Sequence, residues 1–434
     1  MNPIQSVLSD CGAGHVLGIP AYCTANRRVL AAILRDAAKH NRLTLIEATA
    51  NQVNQFGGYT GMRPKEFVKF VEHIADEVKF PIERLVLGGD HLGPLAFSRE
   101  PEVTAMQKAE ELVYDYAAAG FAKLHLDTSM RLADDPEGPL DQKVVARRGA
   151  RLCKAAEKGY QAFVKAYGTN AVHPVYVIGS EVPIPGGTTD GQQSIHITSP
   201  EDCLSTILAY QEAFAAEGLE EAWKYVIAIV AQIGVEFGDN AVSCYNSKNT
   251  ERLTAVLKEY PQIVFEGHST DYQPQASLNS MVKDGIAILK VGPALTFALR
   301  EGLFALSSIE AEMISVESRA NVPAELERVM LEHPENWQRH YHGSEDERRL
   351  ARQYSLSDRA RYYLGETEVE SAIERLIKNL SDVNIPIGLM HQYFPEEAMR
   401  CIAGEITCTP SDLLESTVMR VVNTYITACA SQNT

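Results

Sequence analysis

The pair of residues best suited to chemistry in this sequence is Asp90 followed directly by His91. A carboxylate beside an imidazole can divide the work of a catalytic site, because one group can move a proton while the other holds a divalent cation. Two glycines precede the pair and would let the backbone approach a ligand closely. Either residue could instead cap the following turn, so the pair indicates chemistry only if further polar groups lie nearby.

Acidic and histidine residues also close other short apolar runs, namely Asp127, Glu181 and His268. If these side chains converge with Asp90 and His91, burying them is costly unless they pair or bind a cation. Histidine and carboxylate ligands suit Zn²⁺ or another borderline divalent ion, whereas a structural zinc site would be expected to contain a cysteine cluster. We therefore expect a divalent metal, with Zn²⁺ favoured.

His125 precedes Asp127 by two residues, so both side chains should point to the same side of one strand. His125 is equally well explained as a core residue or as a group that supports a metal ligand. The sequence leaves both interpretations open.

Lys290 lies within an apolar run, where burial could lower its pKa and make it a nucleophile. A salt bridge to Glu266 or a contact with phosphate is the favoured alternative. Barrels commonly bind phosphate in this part of the chain. The residues that we expect to contact substrate or phosphate are Glu47, Asn51, Gln52, Gln232, Ser269, Thr270, Lys290 and Gly292.

Eight short apolar runs rich in β-branched residues predict eight strands, separated by segments of helical spacing. The predicted strands are Val16–Tyr22, Leu43–Ala48, Leu85–Gly89, Lys123–Asp127, Val175–Gly179, Val226–Gln232, Ile263–Gly267 and Ile286–Val291.

Alternation of strands and helices forces a parallel sheet, and eight repeats favour closure into an α/β fold of the (β/α)8 barrel type. The glycines near the first strand have the wrong spacing for a dinucleotide-binding fold. After about residue 293 the pattern becomes helical. We therefore predict a barrel over residues 1–300 and a helical extension over residues 301–434 that packs on it.

Composition narrows the class of function. The net charge of −17 argues against nucleic-acid or anionic-membrane partners and favours a small-molecule substrate. The eight cysteines have no paired spacing, and neither a signal peptide nor a membrane-spanning run is apparent. We expect a cytoplasmic protein with reduced thiols. No Walker-type phosphate loop supports a kinase.

The sequence resembles the family of Z-type subunits of tagatose-1,6-bisphosphate aldolase along almost its whole length. The resemblance rests on the blocks IEATANQVNQFGGYTGM, GGDHLGP, KLHLDTSM, SEVPIPGG, EGHSTDYQ, ILKVGPALTFALRE and YSLSDRARYY. It implies a barrel of the class II aldolase type and a phosphorylated ketose as substrate.

The resemblance also implies roles for individual residues. Asp90 would transfer a proton, His91 and His268 would bind the metal, and Asp127 and Glu181 would flank it. Glu181 is assigned both a catalytic and a metal-binding role, and Asp127 is assigned a catalytic role. At the end of the sixth strand, where such an aldolase would place a further histidine ligand, this chain has Gln232. That departure raises doubt about zinc geometry of the aldolase type.

Two kinds of function follow from the resemblance. One is retro-aldol chemistry on a tagatose phosphate, either as an aldolase component or as a tagatose-6-phosphate 4-epimerase. The other is a non-catalytic subunit that stabilises a separate Y-type catalytic partner. The sequence leaves open which applies and whether the chain forms a homo-oligomer.

Overall fold

Eight parallel strands close into a barrel in the computed structural model, which describes residues 2–11, 17–168, 171–180 and 195–430. The barrel order is β1-β10-β9-β6-β5-β4-β3-β2, and a separate antiparallel pair is formed by β7 and β8. The strands are Ile19–Cys23 (β1), Thr44–Thr49 (β2), Leu85–Leu92 (β3), Lys123–Leu126 (β4), Val175–Gly179 (β5), Val226–Val230 (β6), Glu236–Phe237 (β7), Val242–Ser243 (β8), Val264–Gly267 (β9) and Ile286–Val291 (β10).

Helices surround the barrel and continue beyond it. Pro3–Cys11 (α1) precedes β1. The helices that follow barrel strands are Arg27–Lys39 (α2), Pro64–Glu77 (α3), Glu102–Ala118 (α4), Gln142–Tyr167 (α5), Pro200–Ala216 (α6), Glu220–Trp223 (α7), Ser247–Thr254 (α8), Gln275–Lys283 (α9) and Pro293–Met313 (α10). The helices of the extension are Val322–Glu332 (α11), Glu345–Tyr354 (α12), Thr367–Ser381 (α13), Ile387–Tyr393 (α14), Pro395–Ile402 (α15) and Pro410–Cys429 (α16).

The predicted eight-stranded barrel is confirmed, because every predicted strand has a counterpart. Strands such as β5 and β6 are buried along their whole length, which explains why they appear in the sequence as continuous apolar runs. The first strand begins at Ile19 rather than Val16, which lies outside the described residues. The pair β7 and β8 was not predicted, since two-residue strands leave no periodic pattern.

The N-terminal end of the barrel is closed by α1. The Asn2 side chain donates hydrogen bonds to the backbone carbonyls of Ala122 and His173, at 2.8 and 2.9 Å. Ile4 is fully buried in an apolar cluster with side chains that point into the barrel, including Leu45. The opposite end, where the strands finish, therefore remains as the open mouth.

The extension packs closely on the barrel. Helix α16 lies against α2, α9 and α10. The Gly18 amide donates a 3.1 Å hydrogen bond to the carbonyl of Cys429, and the Tyr425 hydroxyl donates to the carbonyl of Thr270 at 2.6 Å. One apolar core contains side chains from both parts, and α10 spans the predicted division at residue 300. No helix in the described ranges is long and apolar enough to cross a bilayer.

A buried ion pair links the last barrel helix to the extension, and its loss should destabilise the protein. Asp358 accepts hydrogen bonds from Arg300 Nε at 3.1 Å and from Thr296 Oγ1 at 2.6 Å. Asp358→Ala would leave the buried guanidinium without its acid, at a cost of about 3–5 kcal/mol in the free energy of unfolding. Urea denaturation measures this change. Glu325→Ala, which breaks an exposed ion pair with Arg328, is the control and should have little effect. A separate unfolding transition for the extension in the parent protein would contradict the model of one packed unit.

Candidate functional site

A bulge in β3 turns Asp90 and His91 towards the barrel interior. In the ladder between β3 and β4, Gly89 pairs with Leu124 and Leu92 pairs with Leu126, so two residues of β3 face the single residue His125. His91 has a left-handed backbone with φ of 47°, which is uncommon for a residue other than glycine. Two consecutive side chains can therefore reach the same pocket.

Three imidazoles meet at this point, and each is held by a carboxylate. His91 Nδ1 lies 2.8 Å from Asp127 Oδ2, His125 Nδ1 lies 3.0 Å from Asp90 Oδ1, and His268 Nε2 lies 2.9 Å from Glu266 Oε1. Because a carboxylate only accepts hydrogen bonds, the facing ring nitrogen carries the proton. The other nitrogen of each ring is then left with a lone pair.

The three rings surround a common centre. The distances between ring centroids are 5.1 Å for His91 and His125, 4.8 Å for His91 and His268, and 5.0 Å for His125 and His268. With Asp90, they each offer a ligand atom within 4.8 Å of the others, and all four residues are buried. His125 Nε2 is buried and has no hydrogen-bond partner in the described part of the chain. A carboxylate that orients a metal-binding histidine is a recurring arrangement, so these residues fit a divalent cation.

Beneath the imidazoles lies a network of buried charges. Lys123 Nζ lies 2.6 Å from both Glu47 and Glu266. Lys290 Nζ contacts Asp90 directly and lies 3.0 Å from Glu47 Oε2. With Asp127, the cluster contains four carboxylates and two ammonium groups, so two negative charges remain if the imidazoles are neutral. A divalent cation would balance them.

The electrostatics of the site define the charges of Asp90, His268 and Lys290. Burial opposes ionisation of Asp90, but His91 and Lys290 outweigh it and hold the pKa of Asp90 well below its usual range. Burial lowers the pKa of His268 to about 3, with a further contribution from Lys290, so this ring is neutral near pH 7. Burial would lower the pKa of Lys290, but Asp90 and Glu47 raise it instead. Lys290 is therefore a cation here and not a free amine poised for a Schiff base.

Comparison with known proteins agrees with the resemblance seen in the sequence. Residues 4–430 match the model of the family described as D-tagatose-1,6-bisphosphate aldolase subunit GatZ/KbaZ-like. The chain belongs to this family. The D-tagatose-1,6-bisphosphate aldolase subunit GatZ of Salmonella gallinarum is 45% identical, with 98% of this chain and 99% of the relative aligned. The GatZ subunit of Salmonella heidelberg is 46% identical over the same shares.

A solved structure of similar shape is that of a probable tagatose 6 phosphate kinase from Sinorhizobium meliloti 1021. Its sequence is 41% identical, its TM-score is 0.85, and the match covers 95% of this chain and 100% of that one. Barrel and extension are therefore shared with this relative.

The mouth of the barrel in this GatZ/KbaZ-like chain contains several of the residues predicted from the sequence. Asp90, His91, His268, Asn51, Gln52, Ser269, Lys290 and Gly292 line the cavity. Glu47 and Asp127 lie behind them as partners of Lys123 and His91. Glu181, which the sequence assigns to metal binding and catalysis, lies outside the described residues.

Two residues that were predicted to contact substrate, Gln232 and Thr270, form hydrogen bonds with the backbone. Gln232 Oε1 accepts hydrogen bonds from the amides of Gly234 and Val235, at 2.8 and 3.2 Å, and so stabilises its own turn. The Thr270 hydroxyl donates to the carbonyl of Lys290 and lies near the Tyr425 hydroxyl. Neither residue lines the cavity at the mouth.

The N-terminus of α10 adjoins Gly292, which the sequence assigns to substrate or phosphate binding, and it holds a carboxylate. Asp271 Oδ1 accepts hydrogen bonds from the amides of Gly292 and Ala294, at 3.0 and 2.8 Å. Burial raises the pKa of Asp271 to about 6, against the lowering effect of these two amides. The amide of Gly292 is thus already engaged.

Sequence reasoning missed two groups. It left His125 undecided, although the position of His125 two residues before Asp127 was the available signal. It also missed Arg361 and Tyr362, which come from the extension and line the cavity. Nothing local in the sequence shows that this segment lies over the barrel mouth.

We predict that His125 contributes directly to metal affinity. His125→Ala should weaken binding of Zn²⁺ by at least about tenfold, since it removes one of the three imidazoles. Calorimetric titration of the metal-free protein measures this. His173→Ala is the control, because His173 stacks on Tyr225 at 3.7 Å outside the site. Equal Zn²⁺ affinity of the His125 variant and the parent protein would show that the three imidazoles do not act together.

Proposed function

We propose that this protein is a metal-dependent enzyme that breaks the C3–C4 bond of a tagatose phosphate. It would act as a component of tagatose-1,6-bisphosphate aldolase or as a tagatose-6-phosphate 4-epimerase. The observation that supports this most strongly is the set of three carboxylate-held imidazoles around Asp90. The names of its relatives, which are aldolase subunits, suggest the sugar.

The metal would be held by His91, His125 and His268, and we retain Glu181 as a proposed further ligand or acid. When bound, a divalent ion would polarise the C2 carbonyl of the ketose and stabilise negative charge that develops on its oxygen. Zn²⁺ is the proposed ion, because three imidazoles suit it well.

Asp90 is the proposed base, since it is ionised, lines the cavity and adjoins the imidazoles. It would take the proton of the C4 hydroxyl. The electrons of that O–H bond then form the aldehyde at C4, the C3–C4 bond breaks, and its electron pair enters the enediolate over C2 and C3. The Lys290 ammonium would remain paired with Asp90 and Glu47 and keep the pocket from accumulating negative charge.

Two products are possible from that point. Transfer of the proton from Asp90 to C3 of the enediolate gives the two fragments of an aldolase reaction and restores the Asp90 carboxylate. Rotation of the aldehyde, followed by bond formation on its opposite face and return of the proton from Asp90, gives the sugar inverted at C4. Both outcomes use the same residues, so the structure supports the bond-breaking step equally for each.

A non-catalytic role is the alternative, because the curated relatives are named as subunits. In this case the chain would stabilise a Y-type partner that performs the reaction. The buried imidazole cluster would then serve only stability.

The two functions differ in what the purified protein does alone. We expect the protein loaded with Zn²⁺ to cleave tagatose 1,6-bisphosphate or to convert tagatose 6-phosphate to fructose 6-phosphate without a partner. Coupled assays for triose phosphate and for fructose 6-phosphate measure the two reactions. If neither reaction occurs, while the protein raises the activity of a Y-type subunit, the enzymatic proposal is wrong and the alternative holds.

The role of Asp90 can be separated from that of Asp127 by adding metal. Asp90→Asn removes the base and should lower kcat by about 100-fold or more, even at saturating Zn²⁺. Asp127→Asn weakens the support of His91 and a bond to Ser129 but leaves Asp90 in place, so it should lower metal affinity by about 10- to 100-fold and regain activity when Zn²⁺ is in excess. Circular dichroism checks that each variant is folded, since Asp90 also pairs with Lys290. Full recovery of the Asp90 variant by excess Zn²⁺ would assign Asp90 a supporting role.

A further inference from the structure

Arg361 is a cationic residue that the extension places at the mouth of the barrel. It lies in the short turn Arg359–Tyr362, which follows the Asp358 ion pair described above. Its side chain lines the cavity that contains Asp90, His91 and His268. It also lines a second, adjoining cavity.

The guanidinium of Arg361 is held by backbone carbonyls and a tyrosine hydroxyl, and not by a carboxylate. Its Nη1 donates to the carbonyl of Ser357 and, at 2.9 Å, to the carbonyl of Asp358. Its Nη2 donates to the Tyr362 hydroxyl at 3.2 Å, and its central carbon lies 4.6 Å from the centre of the Tyr362 ring. Within the described ranges no carboxylate lies within 4.0 Å of this guanidinium, whereas Arg300 has one carboxylate partner and Arg352 has two.

Arg361 therefore supplies positive charge that the mouth does not already neutralise. The other ammonium or guanidinium group that lines this cavity is that of Lys290, which is paired with Asp90 and Glu47. Asp271 also lines it, but its Oδ1 is bound to two backbone amides. Among the described side chains that line the mouth, Arg361 therefore offers an anionic ligand a positive charge that is not paired with a carboxylate.

The second cavity gives such a ligand room to extend away from the imidazoles. It has a volume of about 560 Å³ and lies between the start of α2 and the extension. It shares Cys23, Gln52, Tyr59, Gly292, Arg361 and Tyr362 with the mouth, so Arg361 lies at the junction. The first amides of α2 do not compete for an anion, because Asn26 Oδ1 accepts from Arg28 and Val29 at 3.0 and 3.2 Å.

We propose that Arg361 binds the terminal phosphate of the ketose and so selects phosphorylated substrates. The planar guanidinium can donate two parallel hydrogen bonds to phosphate, which gives both affinity and orientation. With the phosphate at the junction, the sugar carbons point towards the imidazoles. The extension is then part of the substrate-binding site. This inference rests on the proposed function for the identity of the sugar phosphate.

Binding measurements test this proposal without requiring turnover. Calorimetric titration of the full-length, Zn²⁺-loaded protein would compare fructose 6-phosphate with fructose. We expect the parent protein to bind the phosphorylated sugar more tightly. Arg361→Met should weaken binding of fructose 6-phosphate by about tenfold or more, because a charge-assisted bond to phosphate is lost. Binding of fructose should be unchanged. Arg361→Lys should recover part of the affinity, since it keeps the charge but not the paired donors.

A matched control lies in the same turn. Arg359 also lacks a carboxylate within 4.0 Å among the described residues, but it donates to the carbonyl of Asn336 at 2.9 Å and does not line either cavity. Arg359→Met should leave the affinity for fructose 6-phosphate unchanged, and thermal melting checks that each variant is folded. An equal loss in both variants, or an equal loss for fructose and fructose 6-phosphate, would overturn the role of Arg361. Absence of turnover with selective phosphate binding would overturn the proposed function and leave this inference intact.

Discussion

The buried pairing of two lysines with three carboxylates at the floor of the barrel is the constraint on which the site depends. Lys123 lies between Glu47 and Glu266, while Lys290 lies between Glu47 and Asp90. Breaking a buried pair by removing one partner leaves an uncompensated charge, which costs several kcal/mol. These five residues come from β2, β3, β4, β9 and β10. Five of the eight barrel strands therefore each contribute one charged side chain to a single buried network of ion pairs.

Two of these carboxylates, Glu266 and Asp90, also orient imidazoles. Glu266 contacts Lys123 with one oxygen and His268 with the other, and Asp90 likewise contacts Lys290 and His125. Stability and chemistry are consequently difficult to separate at this site. A substitution that removes a carboxylate changes the charge of a lysine pair and the orientation of a ring at once. This coupling holds the three imidazoles facing each other.

The eight strands were predictable because most of them are short apolar runs between segments of helical spacing, and the position of Asp90 after such a run followed from the same pattern. The inward orientation of both Asp90 and His91 was not predictable. Consecutive residues on a regular strand point to opposite faces, and only the bulge opposite His125 brings them together. The contribution of Arg361 depends on how the extension packs over the mouth, which is a tertiary contact between residues far apart in sequence. Gln232 and Thr270 have polar side chains suited to binding substrate, but the Gln232 amide oxygen and the Thr270 hydroxyl form hydrogen bonds with nearby backbone groups.

The position of α16 has a consequence for synthesis on the ribosome. This helix is made after the barrel strands, yet it lies against α2, α9 and α10 and bonds to the residue just before β1. Until residues 410–429 have left the exit tunnel, the nascent barrel exposes the apolar surface that α16 covers. Proteins of this size tend to fold through intermediates, and such exposed surface promotes aggregation. The apolar surface around β1 is therefore covered only after residues 410–429 have been translated, so β1 and α16 are joined late in synthesis.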